Sequence, residues 1–314
     1  MKKLFISMLA VAALASCTND ETLSLNPGEA ISFGNAFIEN ATRADVAVVP
    51  SYTNSTLNAF QVWGTIAASD GQSVVPIYAN NKVQGIVGAN NVWNVTDANA
   101  PKQYWVNGAS YKFAALVNAG GVTLGTDKLP AKAAFDATLA ATDLLYAEPV
   151  SRTGEATGNL PVAFTFKHLL SKVKFTVNNG STTATGYSFV VKDIKVKGYK
   201  AGEVTLAGRT WDFTGKTQDD YTVADIEVVS GDAKEENAQE LLLIPGAFDI
   251  TFKVDILSQG SVIATHSYPA TGNAYEATLA GGQAYNFQIN VAVGEEITFS
   301  VLNAPAWGEY NALP

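Results

Sequence analysis

Along most of the chain apolar and polar residues alternate with a period of two, the pattern of strands that bury one face. Phe248-Asp249-Ile250-Thr251-Phe252-Lys253-Val254-Asp255-Ile256 puts five apolar residues on one parity and four polar ones on the other. The turn-like Ser258-Gln259-Gly260-Ser261 and the run Val262-Ile263-Ala264-Thr265 follow, so a hairpin is predicted here. Further on, Tyr285, Phe287, Ile289, Val291 and Val293 alternate with Asn286, Gln288, Asn290 and Ala292. Ile297, Phe299 and Val301 then alternate with Thr298 and Ser300. In the middle of the chain Val162, Phe164, Phe166, His168 and Leu170 share even parity, whereas Val173, Phe175 and Val177 are odd. A slip of one residue turns every side chain to the other face, so a bulge or break is predicted near Leu170-Ser171.

Residues 60–66 and 111–116 are earlier strand candidates. Residues 30–37 are the first, with Ile31, Phe33 and Phe37 forming an apolar face interrupted by Asn35. Residues 131–146 are the one helical candidate, on alanine content alone; Thr138, Thr142 and the early Pro130 count against it. Residues 148–161 have no periodicity and are rich in Pro, Gly and Thr, which predicts a linker or long loop dividing the chain. The Glu-rich residues 231–240 read as a second, solvated loop. Many short strands separated by such turns predict an all-β chain of antiparallel sandwiches.

The first residues follow a different pattern. Met1-Lys2-Lys3 is positive, Leu4 to Leu14 is apolar except for Ser7, and small residues follow. That is the layout of a secretory signal peptide, residues 1–16. The apolar run is shorter than the roughly 20 residues a membrane-spanning helix needs. Leu14-Ala15-Ser16-Cys17 resembles the bacterial lipobox, in which the cysteine thiol receives a diacylglycerol. Cys17 is the only cysteine, so it has no internal disulfide partner in an exported chain. Lipidation of Cys17 and attachment to the outer membrane through that lipid are therefore expected.

Composition narrows the function classes. The chain is 47% hydrophobic and 16% charged, which is globular rather than disordered. Its net charge is −9, and removal of residues 1–43 leaves −8, which argues against nucleic-acid binding. The two histidines, His168 and His266, lie far apart in sequence, and no HExxH, GxSxG, P-loop or EF-hand pattern occurs. His168 lies on an apolar strand face and reads as a hydrogen-bonded core or edge residue. Asp219-Asp220 and Glu295-Glu296 sit next to turns and read as solubilising pairs, and Trp63 and Trp105 as core residues. No catalytic residue, metal site or cofactor is expected.

The segment Phe166-Lys167-His168-Leu169-Leu170-Ser171-Lys172-Val173-Lys174-Phe175 resembles the F-x-H-x-L-S-K-V-x-F signature of Bacteroidetes-type fimbrillins, the lipoprotein subunits of type V pili. Supporting pieces come in order along most of the chain: the lipobox, Thr42-Arg43-Ala44, Tyr104-Trp105 before Tyr111-Lys112-Phe113, Asp143-Leu144-Leu145-Tyr146-Ala147, and Gly282-Gln283-Ala284-Tyr285-Asn286-Phe287. The resemblance implies two tandem transthyretin-like β-sandwich domains, here 44–155 and 156–314, behind a lipidated propeptide, 17–43. It also implies a structural fimbrium subunit, stalk or tip, that serves adhesion. Such a subunit is cleaved by an arginine-specific protease, here between Arg43 and Ala44, and loses its first strand with Ile31, Phe33 and Phe37. Another subunit then fills the groove with a C-terminal donor strand, here carrying Ile297, Phe299 and Val301, unless residues 302–314 serve instead. The alternatives are that residues 297–301 complete their own sheet, and that the chain is a surface lipoprotein that binds glycan or host protein without polymerising.

Overall fold

Alternation becomes strand over most of each run, with Ile31, Leu170, Val293 and Ile297 falling just outside. The computed structural model describes residues 28–38, 51–52, 55–56, 59–68, 73–85, 93–97, 100–137, 142–181, 186–236, 240–270 and 275–303. The strands are, in chain order, β1 (Phe33–Ile38), β2 (Ser51–Tyr52), β3 (Ser55–Thr56), β4 (Ala59–Ala67), β5 (Val74–Gly85), β6 (Trp93–Val95), β7 (Ser110–Val117), β8 (Gly121–Leu124), β9 (Pro130–Asp136), β10 (Leu145–Thr153) and β11 (Val162–His168). They continue as β12 (Ser171–Asn179), β13 (Tyr187–Tyr199), β14 (Ala201–Thr205), β15 (Thr210–Asp212), β16 (Gln218–Val223), β17 (Ile226–Val228), β18 (Lys234–Glu236), β19 (Leu241–Leu243), β20 (Gly246–Ser258), β21 (Ser261–Tyr268), β22 (Tyr275–Leu279), β23 (Ala284–Val291) and β24 (Thr298–Asn303).

Seven strands close into a barrel in the order β1-β11-β10-β7-β4-β5-β6. Closure depends on β1, which pairs parallel with β11 and meets β6 at Phe33↔Trp93. The interior is filled by Phe33, Phe60, Phe113, Phe164 and Phe166, each 3% exposed or less. In the second half of the chain, one sheet runs β18-β12-β23-β24 with β19 also on β12, and the other runs β16-β13-β20-β21. The two share one core, with Val173, Phe175, Phe287 and Ile289 from the first and Phe189, Val191, Phe252 and Val254 from the second. This is a sandwich as predicted, but not wholly antiparallel, because β12 pairs parallel with β23. The first half differs from an open two-layer sandwich, because β1 bridges the two strands that would otherwise be edges.

A third sheet, β15-β14-β9-β8, takes two strands from each half of the chain, joined by Ala133↔Val204. It covers Trp63, Leu116 and Tyr146 on the outside of the barrel, together with Leu169, Leu170 and Ile244. The predicted break is here: β11 ends at His168 and β12 begins at Ser171. Between them Leu169 donates its N–H to the Leu144 carbonyl, and the Leu170 carbonyl accepts from Gly282. The change of parity therefore marks passage from the barrel to the sandwich.

Three local readings change. Residues 131–146 hold strand β9 and the start of β10 rather than a helix; Ala133 and Phe135 are buried, and β9 lies between β8 and β14, so pairing on both sides overrides alanine's helical propensity. Residues 148–153 extend β10, so the loop begins at Gly154. The Glu-rich stretch contains β18, which pairs with β12. Strand β11 hydrogen-bonds to β10 and β1, so pairing crosses the expected division between residues 155 and 156. The β20–β21 hairpin follows its sequence closely. Ser258↔Ser261 closes a two-residue turn in which Gln259 and Gly260 both have positive φ, 51° and 78°, as the right-handed twist of the flanking strands requires.

Two stability results follow. A Cβ on Gly64 would lie 2.8 Å from the Phe113 ring and 2.9 Å from that of Tyr78, both buried. Gly64→Ala is expected to cost about 1–3 kcal/mol by overpacking, read as a lower urea midpoint with an unchanged slope. Asp255 accepts hydrogen bonds from Lys192 and, at 2.6 Å, from the Thr265 hydroxyl. These hold its carboxyl below the ordinary 3.8. A depressed native pKa stabilises above the unfolded value and is lost as pH falls through the native one. Urea midpoints of the unmodified chain should therefore fall in acid more steeply than those of Asp255→Asn.

Candidate functional site

The first strand is the structural feature that carries a possible function. Ile31, Phe33 and Ala36 are buried in the barrel core at 8%, 3% and 5% exposure. The Phe33 ring stacks on Phe164 at 6.1 Å and meets Tyr78, Phe113 and Phe60 edge-on at 5.5, 6.2 and 6.3 Å. Its register with β11 is Phe33↔Val162 and Gly34↔Ala163, then Phe37↔Thr165 and Ile38↔Phe166. One extra residue on β1 makes a bulge, which turns Ala36 inward after Ile31 and Phe33. The odd face read from the sequence, interrupted at Asn35, thus ends at the bulge. The side chain of Phe37 lies outside the described set.

Just ahead of β1 the chain is clasped at the barrel's rim. Ile31 donates its N–H to the Gln103 carbonyl, Trp105 donates to the Glu29 carbonyl, and Ala30 bridges Tyr104. Glu29 Oε2 accepts from the Asn159 backbone N–H at 2.7 Å and from its Nδ2 at 3.0 Å. Those bonds from Asn159 hold the Glu29 carboxyl below its ordinary range. Gly28 passes so close that an added Cβ would lie 2.4 Å from the Trp105 carbonyl oxygen. Sequence reading missed this clasp, since nothing local relates Glu29 to a residue 130 positions away.

The C-terminal strand belongs to the sandwich. Among the described residues β24 is an edge strand, paired with β23 through Phe287↔Val301 and Ile289↔Phe299. Phe299 stacks on Phe287 at 5.3 Å and touches Tyr268 and Phe252 at 5.7 and 6.1 Å. Ile297 packs half-buried against the same core, and Val301 is 38% exposed. In this structure the strand completes its own sheet.

Cys17, Arg43 and Ala44 lie outside the described residues. Of the other two arginines, Arg152 is inside the β10 ladder opposite Tyr111, and Arg209 is in the β14–β15 turn, 3.1 Å from Glu148. His168 is buried and its Nδ1 contacts Asp143 Oδ2, the hydrogen-bonded core role read for it. His266 lies exposed on β21, Trp63 and Trp105 are buried, and Asp219 and Asp220 pair with Lys200 and Lys195 at the surface. An open cavity of about 390 Å³ crosses β4, β7 and β10, with Thr65, Lys112, Asp127 and Arg152 in its lining. Among the described residues no three His, Cys, Asp or Glu side chains gather as metal ligands.

Comparison with known proteins adds the following. A family profile described as fimbrillin-like matches residues 42–304. The fold is similar to the crystal structure of a fimbrial protein from Bacteroides vulgatus, with a TM-score of 0.60 at 15% identity, covering 88% of this chain and 99% of that one. It is similar to a candidate cell adhesion protein from Bacteroides ovatus, with a TM-score of 0.54 at 14% identity over 89% and 98% of the two chains. A third similar structure is a candidate cell adhesion protein from Parabacteroides distasonis, with a TM-score of 0.53 at 8% identity over 91% and 99%. The comparison with curated protein sequences finds no match.

Proposed function

Because the chain belongs to the fimbrillin-like family, we propose that it is a structural subunit, stalk or tip, of a bacterial surface fimbrium that serves adhesion. In this reading lipid on Cys17 carries the precursor to the outer membrane. An arginine-specific protease then cuts between Arg43 and Ala44. The barrel and the sandwich are the two transthyretin-like units, with β11 belonging to the first.

One observation carries the reading: the strand that closes the barrel, β1, lies wholly before Arg43 in the chain. Cutting there makes a central stave removable. Its departure exposes one edge of β6 and one of β11 and empties the sites of Ile31 and Phe33. Burial of two such side chains stabilises by on the order of 3–6 kcal/mol, and unpaired sheet edges recruit strands. A strand from another subunit restores both, which is β-augmentation used as a polymer joint. The placement of Arg152 in a ladder and Arg209 in an ion-paired turn supports Arg43 as the residue cut.

The test is controlled cleavage. Full chain lacking the signal peptide, treated with an arginine-specific protease, is expected to acquire an Ala44 N-terminus and then form oligomers that resist heating in detergent. Arg43→Gln should remain monomeric. Equal polymerisation of the two proteins would remove leader release from the mechanism.

A further inference from the structure

The propeptide strand and the C-terminal strand carry the same short pattern. Gly28-Glu29-Ala30-Ile31-Ser32-Phe33 and Gly294-Glu295-Glu296-Ile297-Thr298-Phe299 agree at Gly, Glu, Ile and Phe, and differ by Ala for Glu at the third position and Ser for Thr at the fifth. In the first copy each shared residue has a structural task. Gly28 passes under the Trp105 carbonyl where no Cβ fits, and Glu29 accepts both hydrogen bonds from Asn159. Ile31 and Phe33 fill the barrel core. The two positions that differ, Ala30 and Ser32, are both exposed.

The geometry points to a defined register for the subunit joint: residues 294–299 of a second copy of this chain take the places of residues 28–33, parallel to β11. This inference rests on the fimbrial reading above and adds the segment, its direction and the residues that read it. Phe299 enters the cage of Phe60, Tyr78, Phe113 and Phe164 as the same ring that leaves it. Ile297 replaces Ile31. Gly294 clears the Trp105 carbonyl, and Glu295 takes the two donors of Asn159. Asn159 and Trp105 are thus specificity determinants, because a strand without Gly followed by Glu clashes at one and leaves the other unpaired.

The second copy can release this segment. Among the described residues β24 is paired with β23 alone, at the end of its sheet, and Glu295 and Glu296 stand exposed in the turn before it. Gly294 has φ +77° in that turn, and glycine passes from there to an extended strand without steric cost. Beyond Phe299 the two copies diverge, Gly34-Asn35-Ala36 against Ser300-Val301-Leu302, so the shared register is set by the first six residues.

Disulfide trapping tests the register. The only native cysteine, Cys17, leaves with the leader. Gly34 is the partner of Ala163, so Ser300 of the incoming strand should stand opposite Ala163. Full chains bearing Ala163→Cys and Ser300→Cys, cleaved after Arg43 and mixed, are expected to give a reducible dimer. The pair Ala163→Cys with Asn303→Cys should give roughly tenfold less, since Cα atoms more than about 7 Å apart do not bridge. Glu295→Lys, at an exposed turn position, should cut polymer yield roughly tenfold through loss of the charge-assisted bonds to Asn159. Polymers with no preference between the cysteine pairs, or with undiminished yield from Glu295→Lys, would overturn the register and leave the fimbrial reading standing. No polymers from cleaved, otherwise unmodified chain would overturn both.

Discussion

Phe33→Ala is expected to destabilise the uncleaved chain by about 3–5 kcal/mol and to leave the stability of the cleaved, leader-free chain unchanged. The ring is 3% exposed and has four aromatic neighbours, one stacked and three edge-on. Those neighbours come from β4, β5, β7 and β11, across the barrel, so no single strand can shift to fill the void. Loss of the side chain forfeits its transfer from water and leaves a cavity as well. The contrast between the two forms gives the prediction its edge. Urea midpoints before and after cleavage and removal of the leader measure it directly. A similar loss in both forms would mean that the strand stays in its groove after cleavage.

Asp143→Ala is expected to cost about 3–5 kcal/mol, the range for breaking a buried pair by removing one partner. Asp143 is 1% exposed and His168 is 7% exposed, and their side chains meet where the chain leaves the barrel for the sandwich. Around them Asn118 Nδ2 donates to the Asp143 carbonyl at 2.7 Å, and Leu169 donates to Leu144. Removal of the carboxylate takes the Nδ1 partner from a buried imidazole. Replacing both residues with apolar ones of similar size, Asp143→Leu with His168→Phe, should recover much of the loss, since the pair's attraction largely offsets its desolvation. Chemical denaturation of the three proteins checks this. A single variant within about 1 kcal/mol of the unmodified chain would show an exposed surface pair instead.

Much of the fold could be read along the chain because strand burial is a local pattern. The alternation over Phe248–Ile256 became β20, and Gln259-Gly260 became the hairpin turn, since φ above zero at two successive residues is a local demand. The parity change at Leu170-Ser171 was visible for the same reason. The alanine-rich stretch misled because what makes it β9 is a partner from each half of the chain, β8 and β14. Residues 234–236 misled similarly: charged side chains suit a solvated edge strand as well as a loop.

The candidate site divides along the same line. The sequence by itself determined the apolar faces of residues 31–33 and 297–301, the lone Cys17, and the position of Arg43 after the first strand. The resemblance to the family rested chiefly on other residues, 166–175. Only the tertiary structure decided that β1 is an interior stave flanked on both sides, that its apolar face turns at a bulge, and that Glu29 is read by Asn159. It also placed β24 at the edge of its own sheet. The physical reason is the range of the interactions. Burial patterns and turn conformations are set by neighbours in sequence, whereas pairing, closure and the clasp join residues far apart in the chain, from Phe33 and Trp93 at 60 positions to Glu29 and Asn159 at 130. No local propensity records those contacts.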